Sequence, residues 1–255
     1  MRKVKVVIVF CLLAVLALAP YALAEGFKTS LGLGIGWAPD YEGSDDYEAV
    51  PIPFAKVTWG EGGYVLLNGN SLRVNFFNDS FQFGPILQYR KSRAAVDDNR
   101  VKRMNKIDAA TEAGAFVAFK FDSLLLGVDA VADISDEYNG YLITLRGAYI
   151  ATIDQGLKLT ASLSTTYADN DYMNTYFQVD SKNINSSSLS YFDADACFKD
   201  VSLGLNGDMA LTSNWSLRAT GVYKKLLDDA KDSPLVDDVG DDNQFFLGLT
   251  AIYNF

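Results

Sequence analysis

The 255 residues contain no histidine. Neither the nucleophile–histidine–carboxylate sites of hydrolases nor histidine-ligated metal centres can be built from them. Carboxylates, cations and phenols remain. Asp129 and Asp133 form the clearest acidic pair, four residues apart on one face of an alternating segment. At about 3.3 Å of rise per residue they stand ~13 Å apart, too far for a cooperating acid and base. Asp228–Asp242 is rich in aspartate but lacks the ordered Asp/Asn/Gly spacing of a calcium loop. It reads as a solvated outer loop, or else as a divalent-cation or receptor contact. Lys91–Ile107 has the opposite sign, with Lys91, Arg93, Arg100, Lys102, Arg103 and Lys106. It suits lipopolysaccharide phosphates, the acidic loop, or plain solvation. The chain reads as a non-enzyme with no catalytic residues, no metal site and no cofactor.

The other charged residues follow a different logic. Arg73, Arg90, Glu112, Asp129, Asp133, Arg146, Asp208 and Arg218 all fall on the polar face of segments whose opposite face is apolar, as do Lys28, Lys120, Lys158 and Lys224. Placing Arg or Lys against lipid costs roughly 2–4 kcal/mol near the bilayer midplane, so a membrane barrel confines such residues to its lumen. In a narrow lumen an unpaired charge is poorly solvated, and both signs are expected to pair across strands.

The positioning elements follow from period-two alternation. The pattern predicts twelve strands: Phe27–Trp37, Glu48–Trp59, Tyr64–Leu67, Leu72–Phe77, Phe81–Arg90, Thr111–Phe121, Leu124–Ile134, Tyr141–Ile153, Leu157–Tyr167, Val201–Leu211, Trp215–Leu227 and Asn243–Phe255. The early ones are weakened by Pro51 and Pro53, which restrict ladder bonding. An even count returns the C-terminus to the periplasm. Alternate connections are then short and the others long, apart from the short Asn68–Ser71 link on the outer side. The long segment Ala168–Asp200 carries Tyr172, Met173, Tyr176 and Phe177, which must bury somewhere; it is expected to fold over or into the barrel mouth.

The last strand ends on Tyr253 and Phe255, which resembles the C-terminal assembly signal read by the barrel-assembly machinery. Alternation alone would also suit the last strand of a soluble sandwich. The N-terminus tips the balance. Arg2, Lys3 and Lys5 precede an apolar run, Val6–Ala19, too short to span a membrane as a helix. Cleavage is expected between Ala24 and Glu25, which leaves residues 25–255 as one barrel domain in the outer membrane of a Gram-negative cell, among lipid and lipopolysaccharide. The formal net charge is −10 and becomes more negative without the basic leader, which argues against nucleic acid. Removal of Cys11 leaves Cys197 without a disulfide partner. Fourteen tyrosines and sixteen phenylalanines suit two interfacial girdles.

From Pro39-Asp40-Tyr41-Glu42-Gly43-Ser44 onward the chain resembles the MipA/OmpV family, the MltA-interacting outer-membrane proteins. Further matching pieces are Pro51-Ile52-Pro53, Gly84-Pro85, Tyr89-Arg90 with Arg93, and Tyr172-Met173-Asn174-Thr175-Tyr176-Phe177. Lys199-Asp200-Val201, Tyr223 with Leu226–Ala230, Asp232-Ser233-Pro234-Leu235-Val236 and Tyr253-Asn254-Phe255 follow in order. Gln178 departs from the glycine preferred after Tyr176-Phe177. The resemblance implies an outer-membrane barrel that acts as a scaffold, joining a murein lytic transglycosylase to a penicillin-binding protein; porin-like and adhesin members imply a narrow solute channel or surface adhesion as alternatives. It carries over no catalytic residues.

Overall fold

The computed structural model describes residues 26–154 and 156–255; the expected leader and its cleavage site at Ala24 and Glu25 lie outside them. Twelve antiparallel strands close into one barrel in sequence order. They are β1 (Phe27–Pro39), β2 (Tyr47–Trp59), β3 (Gly63–Asn68), β4 (Ser71–Asn75), β5 (Phe81–Arg90) and β6 (Ala110–Phe121) in the first half. The second half comprises β7 (Leu124–Asp133), β8 (Tyr141–Thr152), β9 (Leu157–Ala168), β10 (Cys197–Ala210), β11 (Trp215–Leu226) and β12 (Asn243–Asn254). Closure joins the first strand to the last, in register from Ser30 opposite Asn254 to Trp37 opposite Leu247. Every strand thereby has a neighbour on both sides, and the wall has no free end.

The side chains are sorted as the bilayer demands. Along β12, Phe245, Leu247 and Leu249 face out and are about half exposed, while Gln244, Thr250 and Ile252 on the opposite face are buried. Leu33, Ile35, Trp37, Leu126, Leu145, Leu163, Leu203 and Leu205 extend the exposed apolar band around the wall. A continuous band of this kind is stable only in hydrocarbon, so the protein is a transmembrane barrel of the outer membrane. No described helix is long and apolar enough to cross a membrane. Aromatic clusters mark the rim that carries the short turns. Phe77, Phe81, Phe119 and Phe121 pack in series there, as do Trp215, Tyr253 and Phe255.

The two prolines of β2 acquire a reason. The β3–β4 hairpin is short and turns at Gly69-Asn70, so the outer half of β2 pairs only with β1. The Pro53 carbonyl accepts from Gly69 N at 2.9 Å, so its nitrogen, and that of Pro51 two residues earlier, faces the hairpin side. Proline there removes an N–H that would otherwise have no partner. Gly84 answers a packing need in the next strand. A Cβ on it would sit 1.9 Å from the Val74 carbonyl oxygen, so only glycine lets β4 approach β5.

The outer connections are folded. The one after β9 contains α1 (Asn170–Tyr176) and α2 (Ser181–Ser187), N-capped by Asp169 and Asp180. The one after β11 contains α3 (Asp228–Asp232) and α4 (Pro234–Asp237); Ser233 caps α4 and Pro234 opens it. Ala230, Leu235, Val236 and Val239 are buried, so the acidic segment is not the solvated loop its composition suggests. The basic segment likewise buries Val96, Val101, Met104 and Ile107. These residues join Tyr41, Tyr138, Tyr172, Met173 and Phe177 in one apolar cluster over the barrel mouth.

Candidate functional site

Ion pairs line the lumen at successive heights, as strand position shows. Toward the short-turn end, Asp208 on β10 stands opposite Arg218 on β11, and Arg218 Nε donates to it at 2.6 Å. The same guanidinium lies 4.9 Å from the centre of the Phe54 ring. Mid-strand, Asp129 on β7 is the hub. Arg73 reaches it from β4, past two intervening strands, with bidentate hydrogen bonds of 2.9 and 2.6 Å, and Arg146 on β8 adds one of 3.0 Å. Arg73 also stacks on Phe116, 5.3 Å from its ring centre. A bidentate guanidinium–carboxylate pair with little solvent access is a strong local tie.

At the outer end the pairs engage the cap. Glu112 on β6 is almost fully buried and accepts from Arg90 Nε at 2.6 Å and from the Tyr138 hydroxyl at 2.9 Å. Arg90 lies 4.8 Å from the Tyr172 ring centre and 5.4 Å from that of Tyr176, so the two α1 tyrosines form a lid on the cation. The Tyr172 hydroxyl in turn donates to Glu42 at 2.6 Å. Glu42, in the loop between β1 and β2, also accepts from Lys199 at 2.6 Å and Lys224 at 3.0 Å. Burial pushes its carboxyl up, but the cations of Lys199, Lys224 and Arg90 outweigh that and hold it well below the usual range. Burial pushes the Tyr172 phenol well above its ordinary value, so it stays a donor.

Asp133, expected to face the lumen, serves the loop that follows it. Its carboxylate accepts from the backbone N–H groups of Ser135, Glu137, Tyr138 and Asn139. A strand-terminal aspartate is better satisfied by the turn than by a distant cation. Of the other expected lumen charges, Arg73, Arg90, Glu112, Asp129, Arg146, Asp208 and Arg218 take part in the pairs above, Lys224 meets Glu42 and Lys120 meets Asp79 at a turn, while Lys28 and Lys158 have no ion pair among the described residues.

The loop residues singled out by resemblance knit the cap. The Ser233 hydroxyl donates to the Phe177 carbonyl at 2.6 Å, which joins the β11–β12 connection to the β9–β10 connection. Gly43 has φ +99°; its N–H donates to the Gln244 side chain and its carbonyl accepts from Asp241 N. A Cβ there would meet Val236 at 2.5 Å. Pro39 closes β1, Tyr41 is buried, and Pro234 is buried in α4. Asn174 is exposed on α1 and ties nothing down. Gln178 adopts no left-handed conformation and donates to Asp193 at 3.1 Å, so the position does not need glycine.

Sequence reasoning missed Lys199. Strict alternation beside inward Asp200 would send it toward lipid. A β-bulge between Phe198 and Asp200 breaks the register, and Lys199 and Asp200 both bury and bond at 2.6 Å. The start of β10 at Cys197, earlier than expected, is the same event. Glu42 gave no sequence signal beyond its place in the Pro39–Ser44 motif.

Among the described residues no cluster of His, Cys, Asp and Glu could hold a metal ion. The family model described as MltA-interacting protein MipA matches residues 31–255. The MltA-interacting proteins of Escherichia coli strain K12 and Shigella flexneri are each 25% identical over 244 residues, which span 93% of this chain and 94% of theirs. Among solved structures, a bacterial polysaccharide outer membrane secretin aligns with a TM-score of 0.46 and 14% identity over 89% of this chain and 98% of its own.

Proposed function

The chain belongs to the MipA family, and from that premise we propose that it is a non-catalytic outer-membrane scaffold for murein-remodelling enzymes. The first partner is a lytic transglycosylase, as its relatives' name, MltA-interacting protein, suggests; the second is a penicillin-binding protein. The observation that supports this reading over a channel is a lumen lined by the pairs Arg218–Asp208, Asp129–Arg146 and Arg90–Glu112, bridged from β4 to β7 by Arg73–Asp129 and capped by α1. A barrel filled in this way offers its faces rather than its bore.

The periplasmic face is small, because its connections are short turns. Four of the five turns nevertheless carry an exposed acid: Glu61, Asp79, Asp122 and Asp154. A partner would meet them through a basic patch, and retention would weaken as salt rises. Pull-down of the refolded barrel with a lytic transglycosylase tests the proposal. Retention at low salt, reduced by Glu61→Lys with Asp122→Lys, supports it; no retention at low salt defeats it. A steady open current in planar bilayers would favour the channel instead.

A further inference from the structure

Most lumen charges are matched, and the exceptions share one level. Lys28, Lys56, Lys158 and Arg218 face the bore within four strand positions of its short-turn end, on β1, β2, β9 and β11. One acid faces inward at that level. Asp208 stands opposite both Lys158 and Arg218, and its carboxylate bonds Arg218. The remaining acids at this end stand on the turns, and among the described residues Asp79 alone of them takes an inward cation, Lys120.

Lys28, Lys56 and Lys158 therefore have no ion pair among the described residues. The Lys56 ammonium lies 5.6 Å from the centre of the Tyr64 ring. Lys56 is opposite Ser30 and Lys28 is opposite Thr58, so the two lysines are diagonal neighbours with Cα atoms about 7–8 Å apart. From elsewhere on the wall, the charges of Lys158 and Arg218 bear on Lys56 more strongly than those of Asp79 and Asp208. A cleft lined by a surplus of one sign concentrates ions of the other.

The bore is wet at this level. Lys28, Thr152 and Lys158 are exposed, and Lys56, Asp208 and Arg218 are half-buried. Higher up, Glu112, Phe116 and Asp129 are each 5% exposed or less, and α1 caps the outer end. The space is thus a socket with one mouth, on the periplasmic side.

We propose that this socket binds a small phosphate-type anion with two or more negative charges, held by Lys28, Lys56, Lys158 and Arg218. Four cations against one carboxylate leave a surplus that a monovalent anion does not answer. Phosphate suits it better than a planar carboxylate, because lysine binds as a point charge and the one arginine already commits its Nε to Asp208. A bilayer headgroup is the wrong source, since the mouth opens inside the ring of strands and the lipid lies outside it. The site is independent of the scaffold reading, which concerns the rim.

Titration calorimetry on the refolded, full-length barrel in nonionic detergent at constant ionic strength, with sodium pyrophosphate, orthophosphate and acetate as probes, tests this. The expected result is saturable one-to-one binding of pyrophosphate, weaker binding of orthophosphate and none of acetate. Lys56→Met removes the charge and keeps an apolar stem; it should weaken pyrophosphate by roughly ten- to a hundredfold, as loss of a charge-assisted hydrogen bond does. It also relieves like-charge repulsion, so the empty barrel should be at least as heat-stable as wild type, which separates lost binding from lost folding. Lys158→Ser, at the exposed mouth, should weaken binding too. Lys102→Met with Lys182→Met, two exposed lysines of the outer connections, should leave it unchanged. No saturable heat with pyrophosphate at tens of millimolar, equal binding of acetate, full affinity in both Lys56→Met and Lys158→Ser, or an equal loss in the outer variant would overturn the assignment.

Discussion

Asp129→Ala isolates the mid-lumen hub. The mutation strands Arg73 and Arg146, which share that carboxylate and whose side chains are 15% and 26% exposed. At an effective dielectric of ~20, each charge pair contributes about 4 kcal/mol at ~4 Å. The contribution of Arg146 is discounted because a quarter of its side chain meets solvent. Removing one member of a buried ion set typically costs about 3–5 kcal/mol, chiefly through the charge left behind, and that is the loss expected here. Urea unfolding in detergent, followed by tryptophan fluorescence and by heat-modifiable gel mobility, measures it. Adding Arg73→Met to Asp129→Ala removes one of the stranded cations and should restore roughly half of the loss. A cost under about 1 kcal/mol, or no recovery in the double variant, would show that water in the lumen screens these charges, and the argument for a filled bore would fail.

Arg146→Ser with Arg218→Ser, or removal of the segment 169–196, should raise a low wild-type conductance in planar bilayers; a wide pore in the intact protein would contradict this. Deleting Phe255, whose N–H donates to the Thr29 carbonyl at 2.9 Å and whose ring packs on Tyr253, should leave export intact and reduce folded, heat-modifiable protein in the outer membrane. The cap should loosen at both pH extremes. Because Glu42 sits well below its unfolded value of about 4.3, its contribution is full above that pH and disappears as pH falls through the depressed folded value. Because the Tyr172 phenol is raised, its contribution is full below about 10 and is lost as pH climbs through the folded value. Proteolysis of the 169–196 connection across pH reads both limbs, and Glu42→Gln should abolish only the acid one.

The sequence by itself determined the wall. Alternation is local, because each side chain's face follows from its neighbours along one strand. Leu157–Tyr167 could therefore be read as a strand, and Arg146 as inward, without knowing what either touches. The even strand count, the short turns at Asp122-Ser123 and Thr212–Asn214, and the terminal Tyr253 and Phe255 belong to the same class of information. Tertiary structure decided everything that depends on two distant segments. Whether Arg73 meets Asp129 depends on register summed over β4 to β7 and on the curvature of a closed wall, which no one strand encodes. Lys199 turned inward because a bulge broke the periodicity that would have predicted it outward. The acidic and basic outer segments looked soluble by composition, yet their few apolar residues, Val236, Leu235, Val101 and Met104, bury against Tyr172 and Phe177 once the barrel brings the loops together over one mouth. That burial is available only after closure, because the cluster draws its members from five different outer connections.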